Sequence, residues 1–251
     1  MEIQETKKNK ISILTPSRSR SARLTSFVKS VFETSNHPER LEFLNYIDND
    51  DPEIDLYKDA EKEIQKLSDY KFVFKNIYQE PMSVSKSWNI LASNCTGNIL
   101  IMGNDDVIYK TQNWDTLLLK ETQKFKDDIY LMWFDDGVKK KEHANFPIVS
   151  RKWYETLGYF TPGCFNFGFN DTWLFEIGLY VKRAHYVDTV KIDHNNFKQD
   201  KKYWDSTYAR NRTEERGNLY EKDRDIWLNS HYDRIKEALK LINVIENANN
   251  S

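Results

Sequence analysis

The chain has 251 residues, 39% of them hydrophobic and 14% aromatic, which is enough apolar surface for one large domain with an appendage and too much for a disordered chain. Its formal net charge of −2 excludes a binder driven by bulk attraction to a nucleic-acid backbone. Two cysteines, Cys95 and Cys164, make neither a disulfide framework nor a zinc site.

Residues 1–10 form a polar, charged tail without the apolar core of a signal peptide. No run reaches the length of a membrane span, so a cytoplasmic setting is expected. The abundance of Lys, Asn and Ile fits an AT-rich genome such as that of a phage or virus, for which the setting is the host cytoplasm. Residues 11–14 read as a short apolar strand, and 15–20 (Thr-Pro-Ser-Arg-Ser-Arg) as a polar loop. Leu24, Phe27, Val28, Val31 and Phe32 then recur at helical spacing. Residues 41–47 form a second strand, closed by Asp48, Asn49, Asp50 and Asp51 before Pro52. Residues 58–67 are a charged helix, and 71–77 an aromatic-rich strand. Ser83 suits the cap of a helix carrying Val84, Trp88, Leu91 and Cys95, and 98–102 is the next apolar strand.

Strand–helix alternation over the first hundred residues predicts an α/β fold, a mixed and mainly parallel sheet with helices on both faces. Ligands of such sheets bind beyond the carboxyl ends of the strands, where the loops 15–20, 48–51 and 104–106 fall. In the second half, Trp114, Leu117, Leu118 and Phe125 mark a helix, 129–134 a strand ending in Asp135-Asp136-Gly137, and 150–157 and 171–182 helices. Residues 186–192 form a strand that runs into Asp193 and His194. Ile226, Trp227, Ile235, Leu239, Ile242 and Ile245 supply an apolar helical stripe to a C-terminal appendage, a surface through which the chain could oligomerise.

The most informative stretch is the apolar run that stops in Asn104, Asp105 and Asp106. Two carboxylates at the mouth of a buried strand repel each other and lose hydration, and a bound cation is the usual remedy. Hard oxygen ligands suit Mg²⁺ or Mn²⁺, which in turn grip phosphate oxygens. Thr15, Ser17 and Arg18 precede a helix whose free N–H groups, with the forked donor of Arg18, suit a diphosphate or nucleotide.

With these loops placed, the chain resembles the GT-A-type nucleotide-sugar glycosyltransferases, particularly the family 2 group. Ser85-Lys-Ser-Trp-Asn89 stands where that group has a segment ending in Arg-Asn, with Trp88 in place of Arg. Gly97 follows Asn89 at eight residues, and Asn104-Asp105-Asp106 occupies the Asp-x-Asp place. The resemblance covers residues 11–110 and beyond them rests on Asn170-Asp171 and His194. It implies a GT-A domain at 11–200, with a nucleotide-binding half at 11–110 and an acceptor half at 111–200, after the tail 1–10 and before a helical extension at 201–251.

It further implies Mn²⁺ or Mg²⁺ and a nucleotide-sugar donor, a UDP-sugar first, with transfer to a glycan or other hydroxyl acceptor. Nucleic acid enters only as a modified-base acceptor. Asp106 and His194 would hold the metal, with Asp105 beside them and Asn104 a neutral ligand able to act through water. Thr15, Ser17, Arg18 and Asn89 would line the nucleotide, Asp48 would accept the uracil imide N–H, and Asp50 would contact the ribose. Asp171 would be the general base of an inverting transfer, although an Asp opening a helix is also a natural cap. The aromatic segment around Phe165, Phe167 and Phe169 is either core or a platform for sugar faces. The rival readings are a nucleotidyltransferase, against which the glycine-free loop 15–20 counts, and an inactive GT-A-fold binding module, which Asn104 favours.

Overall fold

The computed structural model describes residues 9–67, 73–213 and 218–249. Eight strands form one sheet, β1 (Ile11–Ser17), β2 (Leu41–Asp48), β3 (Val73–Gln79), β4 (Ile99–Met102), β5 (Val107–Tyr109), β6 (Leu131–Asp135), β7 (Ile148–Ser150) and β8 (Ala184–His194). Their order is β3-β2-β1-β4-β7-β6-β8-β5. Pairing is parallel from β3 through β4 and between β6 and β8, and antiparallel where β7 and β5 are inserted.

The strands alternate between two apolar layers, as period-two geometry requires. Ile11, Ile13, Phe43 and Ile101 face helices α1 (Ser21–Glu33) and α2 (Ile54–Leu67). Leu14, Leu44, Leu100 and Met102 face the other way. There they meet α3 (Val84–Asn94), α5 (Arg151–Leu157) and α6 (Asn170–Tyr180). Between these in sequence lies α4 (Trp114–Thr122), which buries Trp114 and Leu118 in the first layer. The hydroxyls of Ser83 and Ser150 accept the Lys86 and Trp153 N–H groups and so start α3 and α5, each satisfying one otherwise orphaned donor.

Three further helices end the chain, α7 (Ser206–Arg212), α8 (Leu219–Asn229) and α9 (His231–Asn249). α9 lies on α5 and α6 through Ala238, Leu241 and Ile245, whereas Leu239, expected in its apolar stripe, is 52% exposed. The Asp223 carboxylate of α8 accepts the backbone N–H groups of Asn166, Phe167 and Gly168 and so fixes the turn ahead of α6. Among the described residues no helix is long and apolar enough to cross a membrane.

Several boundaries differ from expectation. β1 runs through Pro16 and Ser17, which stay in register with Tyr46 and Ile47, so the expected six-residue loop shrinks to Arg18–Arg20. α2 starts a turn early, at Ile54. β5 and β7 have three residues each, too few to show a period in sequence. Most of the expected tail, and residues 71 and 72 of the expected third strand, lie outside the described residues.

Candidate active site

Three strand ends meet at the carboxyl edge of the sheet. Ser17, at the tip of β1, gives its hydroxyl to Asp105 Oδ2 at 2.8 Å and stands 2.8 Å from the Tyr57 hydroxyl. Arg20 Nη1 reaches Asp105 Oδ1 at 2.8 Å, and the rest of its guanidinium forks onto Asp205 at 2.8 and 2.9 Å. Burial alone would lower the Arg20 pKa, but Asp105, Asp205 and Asp106 override it and hold the guanidinium charged. Both oxygens of Asp105 are therefore engaged, and the residue expected beside the cofactor braces β1 against the β4 turn. Gly103 makes that turn feasible, because a Cβ there would stand 2.2 Å from Thr15 Oγ1.

Asp106 is 3% exposed. Its Oδ2 accepts the Tyr208 hydroxyl at 2.7 Å and lies 3.7 Å from His194 Nε2. Its Oδ1 is buried with no hydrogen-bond partner among the described residues. The pairing of β5 with the end of β8 explains the neighbourhood, since it sets Val107 opposite His194 and binds the Asn195 N–H to the Asp106 carbonyl at 2.8 Å. His194 Nδ1 lies 3.8 Å from Asp136 Oδ2, and its ring meets Phe146 edge-on. Burial would lower the His194 pKa, but the two flanking carboxylates outweigh it and raise the ring to about 9. Burial pushes the Asp106 carboxyl up, while His194, Arg20 and Tyr208 together bring it below the usual range. Asp136 is also held low, by His194 and by the N–H groups of Val138, Lys139 and Lys140 on its Oδ1.

Among the described residues no three His, Cys, Asp or Glu side chains converge as a metal cluster. The donors nevertheless suit one kind of ion. A buried carboxylate oxygen without a partner is costly, and a cation would satisfy it. Mg²⁺ and similar ions use only one or two protein ligands and fill the remaining positions with water and phosphate oxygens. Asp106 and His194 fit that role, and Asn104, half-buried at the cleft wall, stands next to them.

Other expected residues divide. Arg18 Nη1 donates to Asp48 Oδ2 at 2.6 Å and also pairs with Asp50, so its charge is met by carboxylates instead of standing open to a phosphate. Asp48 lines the cleft, and burial raises its carboxyl despite Arg18. The Asp50 side chain is 56% exposed. Thr15 is fully buried inside the sheet and does not line the cleft. The Asn89 carboxamide is spent on the next loop, accepting from Phe160 N and Thr161 N and donating to the Thr161 carbonyl. Trp88, where the resembled group has Arg, donates its indole N–H to the Leu14 carbonyl at 3.0 Å. These two residues therefore support the wall and offer no free group to a ligand.

Asp171 is second in α6, whose N-cap is Phe169 in a left-handed conformation, so its carboxylate is not the cap. It lies 3.2 Å from His143 Nε2, and the His143 ring stands edge-on to Phe175. Phe165 is core, whereas Phe167 and Phe169 line the cleft. Sequence reasoning missed Arg20, Tyr208, Lys198 and Arg212. The last three come from the C-terminal third of the chain, where no motif marks them.

The cleft holding these groups has a volume of about 1020 Å³, at the upper end for small-molecule sites. No family model matches the chain, and no curated protein sequence does. Solved structures do. The mannosyltransferase PcManGT from Pyrobaculum calidifontis, in complex with GDP-Man and Mn²⁺, matches at TM-score 0.57 and 14% identity over 73% of this chain and 56% of that one. The 1–349 form of TarS from S. aureus matches at 0.53 and 12%, over 70% and 57%. Its complex with UDP-GlcNAc matches at 0.51 and 13%, over 70% and 55%. The chain spans little more than half the length of these proteins. The likeness shows the fold, which is the GT-A-type α/β architecture of nucleotide-sugar glycosyltransferases.

Proposed function

We propose that this protein is a metal-dependent glycosyltransferase that moves a sugar from a nucleoside diphosphate sugar, a UDP-sugar first, to an acceptor hydroxyl. The observation that carries this reading is the unsatisfied, buried Oδ1 of Asp106 beside His194, at the point where three strand ends meet. GDP-Man, UDP-GlcNAc and Mn²⁺ in the neighbours of the same fold support the ligand class.

Asp106 and His194 are the residues that would hold Mn²⁺ or Mg²⁺, and the ion would there neutralise charge on the departing diphosphate. Asp48, at the end of β2, borders the place for the base and can accept an imide N–H. Across the cleft Asp171 accepts the proton of the acceptor hydroxyl. As that O–H bond breaks, the acceptor oxygen forms a bond to the anomeric carbon. The bond from that carbon to the diphosphate oxygen breaks, and its electron pair leaves with the nucleotide. Attack opposite the leaving group inverts the anomeric centre. His143 orients the Asp171 carboxylate, as a hydrogen-bonded neighbour fixes a catalytic base.

Calorimetry with UDP in the presence and absence of Mn²⁺, followed by hydrolysis assays over UDP-, GDP- and dTDP-sugars, tests the reading. Metal-dependent binding with slow hydrolysis of one donor is expected. Binding of UDP that ignores Mn²⁺, with no donor hydrolysed, would overturn it.

A further inference from the structure

The cations on the β1–β2 edge of the cleft are paired, Arg18 with Asp48 and Asp50, and Arg20 with Asp105 and Asp205. At the end of α7 and beyond β8, Arg212 and Lys198 have no carboxylate within ion-pair reach among the described residues. The Arg212 guanidinium sits among three rings, 4.5 Å from Tyr220, 5.2 Å from Phe197 and 5.3 Å from Phe167, and its Nε is buried without a hydrogen-bond partner among the described residues. Lys198 Nζ lies over the same Tyr220 ring at 5.9 Å. Tyr220 in turn packs on Phe169, at 5.1 Å, and closes against Gly168, so both cations are fastened to the turn that leads into Asp171. Arg212, Lys198, Tyr220, Phe167, Phe169 and Asp171 line the same cleft.

We infer that Arg212 and Lys198 form a subsite for an anionic group carried by the acceptor, so that the acceptor is a phosphate- or carboxylate-bearing molecule whose hydroxyl is presented to Asp171. The inference rests on the proposed transfer reaction, which supplies the assignment of Asp171. Aromatic faces do not neutralise the two cations, and a forked guanidinium suits an oxyanion. Lys198 feels Arg212 and Lys139 as like charges and Asp171 as an opposite one, which places the group at the acceptor end. Burial also lowers both cations, a tension that an incoming anion would relieve. The donor diphosphate, by contrast, has the Asp106–His194 cation to meet it.

The test uses the full chain saturated with Mn²⁺ and UDP, with glucose 6-phosphate and glucose as calorimetric probes. Glucose 6-phosphate should bind the loaded protein and glucose should not. Lys198→Gln and Arg212→Gln should each weaken the phosphate probe by ~10-fold or more, as loss of a charge-assisted contact does, and leave the affinity for UDP within about twofold. Lys198 is exposed, so its variant gives a result even if Arg212→Gln fails to fold. The inference falls if glucose 6-phosphate does not bind alongside UDP, or if either folded variant weakens UDP and the probe alike, because the cations would then serve the diphosphate. Should UDP itself fail to bind with Mn²⁺, the transferase reading fails. Loss of probe binding in Lys198→Gln would then still uphold the anion subsite.

Discussion

The two walls of the cleft meet charge in opposite ways. Along the ends of β1, β2 and β4, arginines and carboxylates are locked to one another, as Arg20 is to Asp105 and Asp205 and Arg18 to Asp48. Along α6 and the residues around Tyr220, the cations stand among rings, and Asp171 meets His143 and the Thr172 hydroxyl. The first wall is preorganised, as the proposed diphosphate and metal site requires. The second holds cations with no carboxylate in ion-pair reach among the described residues, which suits the proposed anionic acceptor. Topology gathers the strand ends of the first wall, and both walls also draw on side chains from far along the chain, Asp205 and Tyr208 on the first and Arg212 and Tyr220 on the second.

Breaking the first wall should have the larger effect. Asp106→Ala should weaken Mn²⁺-dependent UDP binding by ~100-fold or more, since it deletes the ligand and leaves His194 alone, and titration of UDP at fixed Mn²⁺ reads this. On the second wall, Asp171→Asn should lower transfer by roughly 10²–10⁴-fold with UDP affinity unchanged, and single-turnover assays separate the two effects. Wild-type transfer in that variant would remove Asp171 from the mechanism.

The first wall was also the more legible one. The strand ends were visible because apolar runs stop abruptly at Thr15, Asp48 and Asn104, and a parallel sheet gathers such ends along one edge. Individual roles within it were not visible. Thr15 turned inward because β1 extends past it, and Asp105 and Arg18 were claimed by neighbours that only the folded chain supplies. Tyr208 meets Asp106 across 102 residues, and Asp223 meets Phe167 across 56. No local pattern encodes contacts of that span. β5, whose pairing carries His194 to Asp106, is too short to announce itself.

A subtler probe is the charge on His194. Its folded pKa of about 9 lies above the ordinary 6.5. The pairing with Asp106 and Asp136 therefore stabilises the metal-free protein fully below pH 6.5, and that contribution is lost as pH rises through 9. The loss should be roughly 3 kcal/mol at most, read from urea midpoints at low and high pH. His194→Gln should flatten this dependence, and an unchanged slope would show that other groups titrate.

The smallest expected effect sharpens the comparison from the loop side. Asn89→Ala should destabilise the chain by ~1–3 kcal/mol, because it strands the Phe160 and Thr161 N–H groups, while UDP affinity stays the same. A matched loss of UDP binding would return Asn89 to the donor.

The knot of Arg20, Asp205 and Tyr208 has a consequence for where the protein can be cut. Asp205 neutralises the arginine that steadies Asp105, Thr207 Oγ1 donates to the Arg18 carbonyl, and the Tyr208 hydroxyl donates to Asp106. Residues 205–208 are thus the keystone of the strand-end wall. Shortening the chain ahead of Asp205 would leave Arg20 with Asp105 alone and take the Tyr208 hydroxyl from Asp106, long before any acceptor is offered.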